Sequence, residues 1–237
     1  MRKKSNFADF YESISQKKII ISPKKQRNIS LSEISLTGSI SSIKNNDSVQ
    51  FESSLERDFI YLIEFDKKVY RYLEQPFKLF YYQYNTQKYY IPDFYVEFWN
   101  GLKQIVEIKY NDDLIANKSV YQKKFNIAEE FCKKNDIEFQ ILTEKEIRSP
   151  KLFNAKFLLS YQNPKYGFNN NDTQIILNVL KQYEQLTVQQ LLDISVKSDD
   201  KKAEMLYIIW YMVSNYLVYF DNDMKLSMET KLWLPKL

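Results

Sequence analysis

An α/β fold, with a mixed sheet flanked by helices, is predicted by three stretches of the chain. Residues 88–98 and 102–110 are rich in Tyr, Ile, Val and Phe and flank Asn100-Gly101, which reads as a β-hairpin. Residues 118–134 carry Tyr121, Phe125, Ala128 and Cys132 at helical spacing, and 137–142 (IEFQIL) is a short apolar run. The second hairpin strand, the helix and this run form a βαβ unit, so the two strands should pair in parallel through a right-handed crossover. One antiparallel and one parallel pairing make the sheet mixed.

Charged residues interrupt the hairpin. Asp93 follows Pro92 on the first strand, while Glu107 and Lys109 lie two apart on the second and so share a face. A two-residue turn at Asn100-Gly101 would set Asp93 opposite Ile108, on the wrong side. A three-residue loop over Trp99, Asn100 and Gly101, with Gly101 left-handed as a G1 bulge, pairs Phe98 with Leu102 and Asp93 with Glu107. That register also gathers Phe94, Val96, Phe98, Leu102, Val106 and Ile108 on one apolar face, so it is the expected one. Two adjacent carboxylates repel and raise each other's pKa. A divalent cation removes that conflict, and hard oxygen ligands suit Mg²⁺ or Mn²⁺. Lys109 beside them could orient or deprotonate a water and oppose charge growing on a phosphate. The plainer reading of the same three residues is an exposed strand face with an ion pair.

Upstream, 53–66 is predicted helical, with Leu55, Phe59, Leu62 and Ile63 forming one stripe. At about 100° per residue, Glu56 falls at the edge of that stripe, its carboxylate toward the protein. Ser53 and Glu56 also have capping-box spacing, which would turn Glu56 back on the helix end. The local sequence alone favours the cap. Glu52 and Asp58 read as surface acids of the first turn. Residues 70–83 read as a connector and strand entered at Gln75-Pro76, where Gln75 either reaches the site or holds the loop. Residues 111–114 read as a loop.

The 237 residues suffice for one large domain or two modest ones with buried cores. One Cys and no His exclude zinc fingers, disulfides within the chain and histidine as base or ligand. Cys132 reads as core. Only Gly38, Gly101 and Gly167 occur, which excludes nucleotide-cradling glycine loops; Gly38 reads as a turn residue. No stretch is long and apolar enough to span a membrane, and the first residues lead into no signal core, so a cytoplasmic protein is expected. The net charge of +4 is unevenly spread. Residues 1–45 carry nine Lys/Arg against three Asp/Glu, 46–165 eighteen of each, and 166–237 seven against nine. A phosphate-binding surface is therefore expected in the N-terminal arm and beside the acids of the hairpin.

Pro92-Asp93 followed by Glu107-Ile108-Lys109 resembles the PD-(D/E)xK nuclease signature. With Glu52-Ser53-Ser54-Leu55-Glu56-Arg57-Asp58-Phe59, Glu64-Phe65-Asp66 and Glu74-Gln75-Pro76, it is similar to the catalytic domain of TnsA-type transposon endonucleases over about residues 36–146. The resemblance implies a restriction-endonuclease-like fold and a metal-dependent DNA endonuclease that cuts the 5′ (non-transferred) strand at transposon ends. It implies Glu56, Asp93, Glu107 and the Ile108 carbonyl as metal ligands, with Lys109 assisting the attacking water, and so favours Glu56 in the site over a cap alone. It further implies double-stranded DNA at transposon ends as substrate, a TnsB-like transposase for the 3′ ends and a TnsC-like regulatory ATPase. Rival expectations are a free-standing restriction or repair nuclease and an inactive DNA- or partner-binding subunit of the same fold. The acidic C-terminal part argues against the first, and the four intact residues argue against the second.

Three divisions are expected: a basic arm over 1–45, the nuclease domain over 46–165 and a smaller domain over 166–237. The Asn-, Pro- and Gly-rich 161–172 marks the last boundary. Helical patterns at 173–183, 187–192 and 201–216, then a hairpin of 217–220 with 226–233, suggest a winged-helix-like domain. Its third helix is almost wholly apolar, unlike a DNA-reading helix. This domain is therefore expected to contact protein, namely the regulatory ATPase.

Overall fold

The computed structural model describes residues 21–22, 36–163 and 170–235. Most of the expected basic arm and the centre of the 161–172 boundary lie outside them. The chain forms two compact units, Met1–Ile147 and Arg148–Leu237. The first unit opens with β1 (Ile21–Ser22), β2 (Gly38–Ser42), β3 (Asp47–Phe51), α1 (Ser54–Phe65) and β4 (Val69–Glu74). It continues with β5 (Lys78–Gln83), β6 (Thr86–Tyr90), β7 (Phe94–Phe98) and β8 (Lys103–Ile108). Then come α2 (Asn111–Ala116), α3 (Lys118–Asn135), β9 (Glu138–Leu142) and α4 (Glu144–Ile147).

The main sheet has the order β4-β7-β8-β9. Its first two pairings are antiparallel and the third is parallel, the mixed arrangement the βαβ unit predicts. Side chains alternate across it, so each face packs against its own helix. Phe94, Val96, Val106 and Ile108 meet Leu55, Phe59, Ile60 and Ile63 of α1. Tyr95 and Ile105 meet Ala128, Phe131 and Cys132 of α3. Cys132 is a buried, unpaired thiol, as its helical position predicts.

The β7–β8 loop carries the bulge. Phe94 pairs with Val106 and Glu97 with Lys103. Phe98 N–H donates to the Leu102 carbonyl at 2.9 Å and Gly101 N–H to the Phe98 carbonyl at 3.0 Å. Gly101 itself is left-handed, at φ +86°. Continued one residue further, this register sets Asp93 across from Glu107.

Several elements differ from the sequence reading. The strand expected over 88–98 is two strands, because Pro92 has no N–H for a ladder and restricts the residue before it. β6 accordingly pairs with β5, and β7 pairs with β4. Residues 70–83 are also two strands, separated at Gln75, whose φ is +45°. β5 leaves the main sheet for a second one of order β1-β5-β6. Tyr84 and Asn85, both left-handed at φ +49° and +58°, join β5 to β6 through a two-residue turn. Gly38 opens β2 rather than a turn. It faces Phe51 across the β2–β3 hairpin, and a Cβ there would come within 2.7 Å of the Phe51 ring. The arm boundary expected at 45 therefore falls inside folded structure. Glu64 anchors this hairpin to α1, its buried carboxylate accepting from Ser42 Oγ (2.8 Å), Ile43 N–H (2.7 Å) and Tyr72 Oη (2.7 Å). Residues 111–114 open α2 instead of forming a loop. Asn111 N–H donates to Glu144 at 2.9 Å, and Asp112 and Asp113 sit in the first turn, where the helix dipole favours acids. Asp58 is buried rather than a surface acid, with Arg57 3.6 Å away.

The second unit holds α5 (Pro150–Leu158), α6 (Asn170–Tyr183), β10 (Gln185–Thr187), α7 (Val188–Ser195) and α8 (Asp199–Ser214). It ends with β11 (Tyr219–Phe220) and β12 (Lys231–Trp233), and β12 pairs with both β10 and β11. It begins at Arg148 rather than at 166, because α5 packs within it. Ser214 Oγ donates to the Leu158 carbonyl at 2.8 Å, and Phe157 stands edge-on to Trp210. Fully buried Asn154 binds Asn222, Met224 and Leu226. β10 leaves no pattern in the sequence, since three residues carry no period. Among the described residues, no helix is long and apolar enough to cross a membrane.

Gly101→Ala should destabilise the protein by about 1–2 kcal/mol, the strain of holding a Cβ-bearing residue left-handed. A Cβ at this position meets nothing within 4 Å, so the loss is backbone strain alone. Urea unfolding of the variant measures it, and an unchanged midpoint would contradict the bulged loop.

Candidate active site

Pro92 ends one strand and frees Asp93 at the mouth of the next. Gln75 N–H, from the left-handed residue between β4 and β5, donates to the Asp93 carbonyl at 2.8 Å and holds that exit. The bulged register then puts the Asp93 side chain beside the end of β8. Its Oδ2 accepts from Ile108 N–H at 2.7 Å and from Lys109 Nζ at 3.1 Å. Lys109 Nζ also lies 2.8 Å from Glu107 Oε1 and donates to the Ile108 carbonyl at 3.0 Å. One ammonium thus gathers three oxygens, two from carboxylates and one from the main chain. The other oxygen of Glu107 accepts a short hydrogen bond from Tyr90 Oη.

Burial governs the charges here. Glu107 is only 4% exposed. That burial, and then the neighbouring Asp93 charge, push its carboxyl up to about 7, against the opposing pull of Lys109 and Tyr90. Burial pulls Lys109 down, but Asp93 and Glu107 outweigh it and hold the ammonium above its ordinary range. Burial and the Glu107 charge keep the Tyr90 hydroxyl protonated well beyond its ordinary range, so it serves as a donor. The strand face is therefore a buried, hydrogen-bonded cluster rather than an exposed ion pair.

Glu56 stands differently. Its amide donates to Ser53 Oγ at 3.1 Å, as capping requires. Its carboxylate turns back to accept from Glu52 N–H (2.9 Å) and Ser53 Oγ (3.1 Å). Burial, then the Asp93 charge, raise the Glu56 carboxyl to about 7. The cap and the site both act on this residue. Among the described residues, no group of three or more His, Cys, Asp or Glu side chains is placed to hold a metal ion. Asp93, Glu107, Ile108 and Lys109 are brought together, whereas Glu56 remains on the helix end.

Two family models match the chain. A model described as TnsA-like endonuclease N terminal matches residues 66–144, and one described as TnsA endonuclease C terminal matches 146–221. The chain belongs to the TnsA-type transposon endonuclease family. No curated protein matches it. The seam between the two matches falls beside the division of the fold at Ile147 and Arg148. The mixed sheet between α1 and α3 is the restriction-endonuclease-like arrangement, and a TnsA-type chain is a DNA endonuclease of transposition. Asp93, Glu107, Ile108 and Lys109 lie inside the N-terminal match, while Glu56 precedes it.

Tyr90 escaped the sequence reading. Nothing in its spacing separates it from the other tyrosines of a chain that has 19. Its role follows from the fold, which brings the end of β6 against the buried Glu107. Tyr90→Phe should destabilise this TnsA-type protein by about 1–3 kcal/mol, because a buried carboxylate oxygen loses its donor. Urea unfolding in metal-free buffer tests this; no loss of stability would remove the hydroxyl from the site.

Proposed function

We propose that this TnsA-type endonuclease cuts the 5′ (non-transferred) strand at transposon ends in a Mg²⁺-dependent reaction, with Mn²⁺ as a substitute. Family membership supports double-stranded DNA at those ends as substrate, a TnsB-like transposase for the 3′ ends and a TnsC-like ATPase as regulator. A substrate of cellular DNA points to the cytoplasm.

The observation that carries metal dependence is the convergence of Asp93 Oδ2, Glu107 Oε1 and the Ile108 carbonyl on the Lys109 ammonium. Hard oxygens that already surround one cation fit Mg²⁺ or Mn²⁺. Those three groups would hold the ion, with Glu56 as the additional carboxylate. When bound, it supplies Lewis-acid polarisation of the phosphate and a more acidic water. Tyr90 occupies Glu107 Oε2 and leaves Oε1 toward the cation. On Asp93, by contrast, Ile108 N–H donates to Oδ2, the same oxygen that accepts from Lys109, and so fixes that oxygen toward the cation. Lys109, released from the carboxylates, orients the attacking water and opposes charge growing on the phosphate oxygens.

In the second unit, the order helix, strand, two helices and hairpin from α6 onward supports the winged-helix reading. Starting at Arg148, the unit also takes in Lys151, Lys156 and Lys165, and its charge balance moves from −2 over 166–237 to +2. Charge therefore says little, and what supports the protein-contact role is that α8, largely buried between Met205 and Ser214, is core and not a helix free to enter a DNA groove.

Alanine at Glu56, Asp93 or Glu107 should remove 5′-strand cleavage and weaken Mn²⁺ binding. Lys109→Ala should remove cleavage while Mn²⁺ binds as well or better, since a competing cation has gone. All four should spare the transposase's cuts at the 3′ ends. Strand-resolved cleavage with the partner proteins, and calorimetric Mn²⁺ titration, check each outcome. Wild-type cutting by Asp93→Ala or Glu107→Ala would sink the assignment. The isolated second unit should bind duplex DNA no better than about 10⁻⁶ M at physiological salt, the non-specific range. Nanomolar, sequence-specific binding by it would overturn the protein-contact role.

A further inference from the structure

We infer that a basic groove between the β5–β6 hairpin and α3 holds the phosphate backbone of the DNA duplex flanking the cut. This rests on the nuclease reading above and assigns substrate-binding residues to it. The groove has a volume of about 680 Å³ and is lined by Lys88, Lys123 and Lys124 together with Tyr81 and Tyr89, and no lining residue is acidic. Residues 46–165 as a whole balance eighteen basic against eighteen acidic residues. Three lysines without an acid are therefore a local concentration of charge, not a sample of the unit's surface.

Aromatic rings around the groove hold one of these ammonium groups and that of Lys78 in place. Lys78 Nζ lies 4.5 Å from the centre of the Tyr89 ring, and Lys123 Nζ lies 5.7 Å from that of Tyr84. Tyr84 is 88% exposed and Tyr89 52%, so this is a surface and not a core edge. The first turn of α3 forms part of the other wall through Ser119 and Val120. The Asp113 carboxylate already binds the start of that helix through Asn117 Nδ2 (2.7 Å) and Tyr121 Oη (2.6 Å), so the positive potential of the groove rests on the lysines. An anion with regularly spaced charges, such as one strand's backbone in a duplex, suits such a trough, and DNA is the substrate class of the family.

Position ties the groove to the chemistry. Lys88 and Tyr90 are two residues apart on β6 and so share a face, about 7 Å from one another along the strand. Tyr81 stands directly across from Lys88. Lys88 and Tyr81 thus share a face with the tyrosine that holds Glu107, which connects one wall of the groove to the site.

The test uses the full chain, a fluorescent duplex of about 30 bp and EDTA, with anisotropy followed from about 50 to 200 mM NaCl. The groove variant is the triple Lys88→Gln, Lys123→Gln, Lys124→Gln. The control triple is Lys67→Gln, Lys68→Gln, Lys103→Gln, which removes the same charge at the opposite end of β8 from Glu107. Circular dichroism confirms that both fold. The groove triple should lower the slope of log affinity against log salt by about 2–3 and weaken binding at least about tenfold at low salt, while the control changes the slope by less than about 1. Equal behaviour of the two triples, or a wild type with no salt-dependent binding, overturns the groove. Asp93→Ala is run in parallel, for binding in EDTA and for cleavage with metal and partners. If it loses cleavage while the groove triple binds like wild type, the groove fails and the nuclease reading stands. If it cleaves like wild type, the nuclease reading fails whatever the groove does.

Discussion

The register between β7 and β8 is the constraint on which the site depends. It is set at the far end of the hairpin, where Gly101 at φ +86° absorbs one extra residue. A slip by one position would turn Asp93 toward the face packed by α1 and bring Ile108 opposite it. No apolar face could then form from Phe94, Val96, Val106 and Ile108, and no pair of carboxylates would meet Lys109. Core packing and site chemistry thus demand the same alignment, which makes the loop a shared condition of both.

Once aligned, the acids need compensation. Glu107 is buried beside Asp93, and a buried carboxylate next to another is unfavourable unless hydrogen bonds and a counter-charge offset it. Lys109 supplies the charge, while Tyr90 and Ile108 N–H supply donors. The folded protein therefore carries its own cation at the point where the carboxylate and carbonyl oxygens converge. Such a cluster offsets its carboxylates with the chain's own groups. Glu56 is bound to Glu52 and Ser53 at the helix end while still within electrostatic reach of Asp93.

Pro92 links the site to the surface around it. By ending β6 it sends one half of the expected strand into the β1-β5-β6 sheet and the other into the main sheet. The first half carries Lys88 and Tyr90 on one face; the second begins just after Asp93. A single residue without an N–H thus separates the lysine-lined groove from the acids while keeping them next to each other. Elsewhere on α1, Glu64 ties the β2–β3 hairpin to the helix through Ser42 and Ile43, and β4 through Tyr72.

The sequence by itself determined the hairpin register, the βαβ unit and the grouping of Asp93, Glu107 and Lys109. Each follows from short-range rules: period-two alternation, a glycine in a three-residue loop, and a helix between two strands. It left Glu56 divided between cap and site, since both readings use the same i to i+3 spacing. Tertiary structure alone decided the partition of 88–98 and 70–83 into different sheets, which depends on which neighbours accept the freed edges. It alone placed Tyr90 on Glu107, buried Asp58, and moved α5 into the second unit, because none of these contacts has a periodic trace in the chain. Contacts between residues distant in sequence leave no local pattern, and only the packed fold discloses them.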